Sequence, residues 1–364
     1  MDVIDGDAVW LKARGDDFYR GGDFRSALNA YSAAIDANEN MLACYSNRSA
    51  CYLRLKMFAE CGLDCSEGIK RIDEEIRALT GSTPENDSHS NSSSNNGNSH
   101  TNGSRSSSVV LSDTTAKEVV VLKVLLSKLL LRRGATSCQM GHFSEALNDY
   151  VRTSILLYGY EVRGDLILKN KNDAVRMDAE FSLPGITKES LSADLVRIGK
   201  LLDVDILKKE GDAFFAEEKL EESCTKYTHA LKLIPIHVGC LSNRSACRLA
   251  RKDVQGCIDD CTSALLLLKD DDKAGTKMEQ STRGEEVNML NSILPSEGSE
   301  KRKSWVLKTL LRRAAAYAQL NSLDLAVEDF RNASGLDPKN EILKSDLNKM
   351  LNYRESKRTS SQAA

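Results

Sequence analysis

Lys128 and Arg132 stand four residues apart, as do Lys308 and Arg312 in the second half of the chain. On a helix such a pair shares one face, so each pair delivers two cations to one place. Lys128 also interrupts the apolar run from Val119 to Leu131, where an ammonium group must reach water or a partner. Upstream, Lys12, Asp16 and Asn47 recur as Lys208, Asp212 and Asn243, each 196 residues later. Two or three cations and an amide donor, with no catalytic base, make an anion-binding site. Arginine suits a carboxylate through two parallel bonds, lysine acts as a point charge and asparagine adds a neutral donor. The plainer alternative is that these charges line the solvated groove of an ordinary scaffold.

No pattern for catalysis competes with this reading. The chain has no Gly-rich phosphate loop, no Gly-x-Ser-x-Gly elbow and no paired-His metal motif, so neither an enzyme nor a cofactor is expected. His89 and His100 fall in a polar tract, and His142 and His229 read as surface or packing residues. Cys44, Cys51, Cys61 and Cys65 recur as Cys240, Cys247, Cys257 and Cys261 at the same offset of 196. No histidine follows them at ligand spacing, so buried reduced thiols are expected rather than metal ligands. Such usage fits a reducing cytosol, and a cytoplasmic location is expected. The 50 basic and 53 acidic residues nearly cancel, giving −3, and no long basic run suggests nucleic acid as a partner. The longest apolar run is too short and too charged to span a membrane, and the first residues do not read as a secretory signal.

The elements that carry these residues are repeated. Ser46-Asn47-Arg48-Ser49-Ala50-Cys51 returns as Ser242-Asn243-Arg244-Ser245-Ala246-Cys247, and Lys128-x-x-x-Arg132-Arg133 returns as Lys308-x-x-x-Arg312-Arg313. A frame of 34 residues starting at Ala8 places Leu11 at position 4, Gly15 at 8, Phe18 at 11, Ala27 at 20, Tyr31 at 24 and Ala34 at 27. Frames starting at Leu42, Val204 and Val238 repeat that register. Third frames, starting at Ser127 and Leu307, are displaced by inserts of 51 and 35 residues. Small residues at 8 and 20 allow two helices to approach, and the large ones fill the gap between them.

This register resembles the tetratricopeptide repeat over both halves of the chain. The resemblance implies an all-α fold: two arrays of three helical hairpins, each with a closing helix. It divides the chain into a first array over 1–158 with a disordered insert at about 80–114, and a linker over 159–186. The region 187–356 then holds the closing helix of the first array and the second array, with a polar insert at about 269–302, and 357–364 is a disordered tail. Thr187 is a candidate N-cap. Leu191, Leu195, Ile198 and Leu202 give one closing helix its apolar face, and Ile342, Leu343, Leu347, Met350 and Leu351 give the other.

The charged positions resemble the carboxylate clamp of tetratricopeptide co-chaperones. In that family, Lys and Asn on the first helix, Asn on the third, and Lys and Arg on the fifth hold the peptide EEVD. This peptide ends the cytosolic heat-shock chaperones seventy and ninety. Lys12, Asn47, Lys128 and Arg132 match, as do Lys208, Asn243, Lys308 and Arg312. The family's first-helix Asn is Asp16 here, and Asp212 in the second half. Each acid stands four residues after a clamp lysine and is expected to pair with it, costing an anionic ligand on the order of 1 kcal/mol. The resemblance implies an adaptor that grips chaperone tails and brings client or assembly proteins to them. Chaperone-organising adaptors, the two-array factor associated with mitochondrial import and dynein assembly factors share this plan. The alternative is a repeat scaffold that binds other peptides or helices without chaperones.

Overall fold

The computed structural model describes residues 2–81, 112–159, 183, 185–268, 294–295 and 298–362. Among these there are thirteen helices and no strand. They form two compact units, Met1–Val196 and Arg197–Ala364. The first contains α1 (Asp2–Arg20), α2 (Phe24–Ala37), α3 (Leu42–Arg54), α4 (Phe58–Thr80), α5 (Asp113–Met140) and α6 (Phe143–Tyr158). Helix α7 (Lys188–Ala216) contains the boundary between the units. The second unit continues with α8 (Leu220–Leu233), α9 (Val238–Ala250), α10 (Val254–Leu268), α11 (Glu300–Gln319), α12 (Leu323–Leu336) and α13 (Glu341–Gln362). Each helix packs on its neighbour in sequence within α1–α4, α4–α6 and α8–α13, and alternate helices α1, α3 and α5, like α9 and α11, also touch.

The packing follows the 34-residue register. A Cβ added at Gly15 would lie 2.6 Å from Tyr31, one at Gly134 would lie 2.7 Å from Tyr150, and one at Gly211 would lie 2.8 Å from Tyr227. In these three repeats position 8 is glycine because the tyrosine ring at position 24 lies against its backbone. The turn inside every hairpin is left-handed at position 15: at Gly22 and Gly141, but also at Lys56, Glu218, Lys252 and Asn321. The four residues with side chains accept a conformation costing about 1 kcal/mol or more, which the packed hairpin imposes.

A second register feature ties successive hairpins together. Arg48 grips Asp64 through Nε at 2.7 Å and Nη2 at 2.6 Å, and its Nη1 donates to Ser32 Oγ at 3.1 Å. Arg133 does the same with Asp149 and Ser66, Arg244 with Asp260 and Thr228, and Arg313 with Asp329 and Thr262. In each case an arginine at position 7 joins its own second helix to the second helix of the preceding repeat. These forks set the stacking of the helices that carry the charged groove.

Thr187 caps α7 as expected from its sequence. Its Oγ1 accepts from Ser190 N at 3.1 Å, while Ser190 Oγ accepts from Thr187 N at 3.0 Å. Leu191, Leu195 and Ile198 are buried. The same helix continues through Leu207 and Gly211, so the helix expected to close one array and the first helix of the next are one element. The apolar face of α13 differs from the expected one. Leu343 is buried, but Ile342 is 72% exposed and takes no part in the packing. Helix α13 also runs to Gln362, past the expected start of a disordered tail at 357, because Arg354 and Arg358 both reach back to Asp324. At the other insert, Arg302 is buried and donates to Leu268 O and Pro295 O, so residues 298–302 belong to the folded unit. The Ser/Asn-rich tract, most of the second insert and nearly all of the 159–186 linker lie outside the described residues.

Candidate functional site: a charged groove built twice

Helices α1 and α3 bring Lys12 and Asn47 onto Asp16, and α5 adds Arg132 to the lining of the same cavity. Lys12 Nζ donates to Asp16 Oδ2 at 2.7 Å, and Asn47 Nδ2 donates to Oδ1 at 2.9 Å. Tyr31 Oη donates to the same Oδ1 at 2.7 Å. The second unit repeats the network: Lys208 to Asp212 Oδ2 at 2.6 Å, Tyr227 to Oδ1 at 2.6 Å and Asn243 to Oδ1 at 2.8 Å. The acid is thus held by three donors in both units. Burial pushes the Asp16 carboxyl up, but the bonds from Lys12, Tyr31 and Asn47 and the charge of Lys12 outweigh it and hold it below its ordinary 3.8. The Asp212 carboxyl is lowered by the same balance, with Lys208, Tyr227 and Asn243 as donors. A depressed carboxyl stabilises the fold above its unfolded value and loses that contribution as pH falls through the folded one. Both networks therefore stay ionised through the neutral range and dissolve only below about pH 3.8.

The cations of the fifth helix behave differently from each other. Arg132 Nη1 donates to Ser46 O at 2.5 Å and to Ser46 Oγ at 2.7 Å, and Arg312 Nη1 donates to Ser242 O and Oγ, both at 2.6 Å. These guanidinium groups are anchored to the third helix of their array with their remaining N–H groups available. Lys128 and Lys308 are exposed and have no ion pair or hydrogen bond among the described residues. A cavity of about 470 Å³ in the first unit is lined by Asp16, Tyr19, Arg20, Asn47, Ala50 and Arg132. With Asp16 paired to Lys12, Arg132 leaves this cavity with a surplus of positive charge.

Sequence reasoning placed Asn47 and Asn243 as donors to a ligand, whereas each has one amide hydrogen committed to the aspartate. It missed the hydroxyls of Tyr31 and Tyr227, which the register marked only as large packing residues. It also passed over His237. Its Nδ1 caps α9 by accepting from Cys240 N at 3.1 Å, and burial with the nearby Lys208 charge pushes its pKa down to about 4. The imidazole is therefore a neutral cap beside the Lys208 stem; Met41 holds the corresponding place in the first unit. All ten cysteines are free and buried. Among the described residues no cluster of His, Cys, Asp and Glu would hold a metal ion, and no helix is long and apolar enough to cross a membrane.

Hairpins in one 34-residue register, stacked through arginine forks, decide the fold. It is that of tetratricopeptide repeats. No family model matches the chain. It is 22% identical over 259 residues to Hsp70-Hsp90 organizing protein 3 of Arabidopsis thaliana, covering 69% of this chain and 36% of the relative. It is 34% identical over 67 residues to human mitochondrial import receptor subunit TOM34, covering 18% of this chain and 22% of the relative. The chain therefore spans well under half the length of these curated relatives. Among solved structures it is similar to the first TPR of Spaghetti (RPAP3) bound to HSP90 peptide SRMEEVD. The identity is 20% and the TM-score 0.30, with 42% of this chain and 93% of that one covered. A TPR2AB-domain:pHSP90 complex of yeast Sti1 is similar over 96% of this tetratricopeptide chain and 98% of its own, at 14% identity and a TM-score of 0.30.

Proposed function

We propose that this tetratricopeptide chain is a non-enzymatic co-chaperone adaptor, acting in the cytoplasm, whose two grooves each grip an acidic C-terminal peptide of the EEVD type. The observation that carries this reading is the network around Asp16 and its counterpart at Asp212. Twice, Lys, Asn and Tyr gather around a carboxylate. The groove is chemically suited to carboxylates, and it holds one of its own. Lys128 and Arg132 would take the ligand's acidic side chain, and the remaining N–H groups of Lys12 and Asn47 its terminal carboxylate. In the second unit Lys308, Arg312, Lys208 and Asn243 play those parts. Relatives named for organising Hsp70 and Hsp90 support chaperone tails as the ligands. Two grooves on one chain raise the effective concentration of a second linked tail to about millimolar when the linker spans the sites.

A second reading is favoured by one specific feature. Because Lys12 and Asn47 are already bonded to Asp16, Lys128 and Arg132 are the clamp cations without a carboxylate partner among the described residues. These two could serve an internal acidic segment of a client or assembly protein. Replacement of the aspartates separates the two. Asp16→Asn with Asp212→Asn removes the resident charge and frees both lysines. Titration of a labelled EEVD-ended peptide should then show binding roughly threefold to tenfold tighter, about 1 kcal/mol. The gain should shrink in high salt, which screens the repulsion it relieves. Weaker binding by the variant would make the aspartates part of the recognition and remove the chaperone-tail reading.

A further inference from the structure

The second unit carries a close likeness of the proposed ligand in its own sequence. Glu285-Glu286-Val287-Asn288 departs from EEVD only in its last residue, Asn for Asp. The segment belongs to the stretch between α10 and α11 and lies outside the described residues. Both of its tethers are described. Arg302, buried in α11, donates through Nε to Leu268 O at 3.3 Å and through Nη1 to Pro295 O at 3.1 Å. One side chain thus fixes Leu268 and Pro295 against the helix that carries Lys308 and Arg312.

The tethers are long enough for the segment to reach those cations. Lys308 stands six residues beyond Arg302 and Arg312 ten, about 9 and 15 Å at ~1.5 Å per helical residue. Glu286 stands nine residues before Pro295, a chain length of up to about 30 Å at ~3.3 Å per residue. Seventeen residues join Leu268 to Glu285, up to about 56 Å on the same measure. Two carboxylates are therefore confined to the neighbourhood of two cations.

The chemistry of segment and groove is complementary half by half. Lys208, Tyr227 and Asn243 already hold a carboxylate, that of Asp212. Lys308 is exposed without a partner among the described residues, and Arg312 has N–H groups beyond the Nη1 that holds Ser242. The segment offers two acidic side chains for these open cations, and at Asn288 an amide where EEVD ends in two carboxylates. Asp212 supplies the carboxylate that the segment lacks. In the first unit, residues 82–111 between α4 and α5 have Glu85 and Asp87 as their only acids, with no adjacent pair.

We infer, resting on the carboxylate-gripping reading above, that Glu285-Glu286-Val287-Asn288 is the resident ligand of its own second groove, with its glutamates on Lys308 and Arg312. A tethered ligand acts at an effective concentration of about a millimolar, so contacts too weak to hold a free peptide suffice to occupy the groove. An incoming tail displaces it through its terminal carboxylate, the feature that the segment does not have.

The test uses the full chain and labelled Ser-Arg-Met-Glu-Glu-Val-Asp. In a Lys128→Ala background, which weakens the first groove, Glu285→Gln with Glu286→Gln should tighten binding at the second by roughly threefold to tenfold. Asp271→Asn with Asp272→Asn makes the same change of charge in the same stretch and should leave the affinity within about twofold. In a Lys308→Ala background, which leaves the first groove to be read, neither pair should matter. The capped peptide acetyl-Arg-Gly-Glu-Glu-Val-Asn-Met-amide should compete for the second groove of the double-glutamine variant at roughly 0.1–0.5 mM. Equal tightening by the aspartate pair would reduce the effect to net charge. Tightening at the first groove, or tightening that depends on the concentration of the chain, would put the segment in another groove or another copy. Each of these overturns the inference. Unchanged affinity in the double-glutamine variant, with the probe's free carboxylate still required, removes the inference and leaves the gripping reading standing. Absence of binding by every variant overturns both.

Discussion

Asp260→Ala is expected to destabilise the second unit by about 3–5 kcal/mol, the cost of removing one partner from a buried ion pair. Asp260 is 3% exposed and receives Arg244 Nε at 2.9 Å and Nη2 at 2.7 Å. Arg248 Nη1 lies 3.0 Å from Oδ2, which also accepts from Arg244 Nε. Alanine leaves Arg244 without its anion, takes one of two carboxylate partners from Arg248 and breaks the fork that joins α8, α9 and α10. A destabilisation at the lower end of that range corresponds to a fall of roughly 6–12 °C in the unfolding temperature of a unit this size. Thermal unfolding followed by circular dichroism measures it. A shift of less than about 2 °C would mean that the fork is solvated rather than structural. Asp64, Asp149 and Asp329 occupy the same register position and should behave alike, with the effect following how deeply each pair is buried.

Lys128→Ala combined with Lys308→Ala should weaken an EEVD-ended peptide by roughly tenfold to a hundredfold at each groove, the worth of one hydrogen bond to a charged group. These two lysines are the cleanest positions for the experiment, since both are exposed and bonded to nothing else among the described residues. Circular dichroism and the unfolding temperature should stay unchanged, which separates lost recognition from lost fold. The salt dependence of binding should flatten in the variant, because one fewer cation meets the ligand. Arg132→Ala is a less direct probe. That guanidinium also ties α5 to Ser46 of α3, so its loss mixes binding with packing.

The 34-residue period made the hairpins legible before any coordinates, because small and large residues recur at fixed offsets and a helical pair needs both. The Lys12–Asp16 and Lys208–Asp212 pairs stand at a helical spacing that predicts them. The phenol bonds of Tyr31 and Tyr227 were not legible. Each reaches an acid fifteen residues earlier, across a hairpin, while the register already gave the ring a packing task. The arginine forks left a signal that could have been read: four arginines at position 7, each with an aspartate sixteen residues later. The left-handed turns were hidden because Lys56, Glu218, Lys252 and Asn321 stand where local preference would have put glycine. Ile342 misled because helical spacing at a chain end does not say whether a neighbour is there to cover it.

The most direct test of the central claim is calorimetry of the full chain with one peptide in two forms, ending in EEVD with a free carboxylate or with an amide. The account predicts two peptides bound per chain at micromolar affinity, since a short ligand makes only a few charge-assisted contacts in a wet groove. It predicts a loss of about tenfold or more on amidation, because the remaining N–H groups of Lys12, Asn47, Lys208 and Asn243 then face no anion. Equal affinity for the two forms would contradict it and leave the grooves as sites for internal acidic segments.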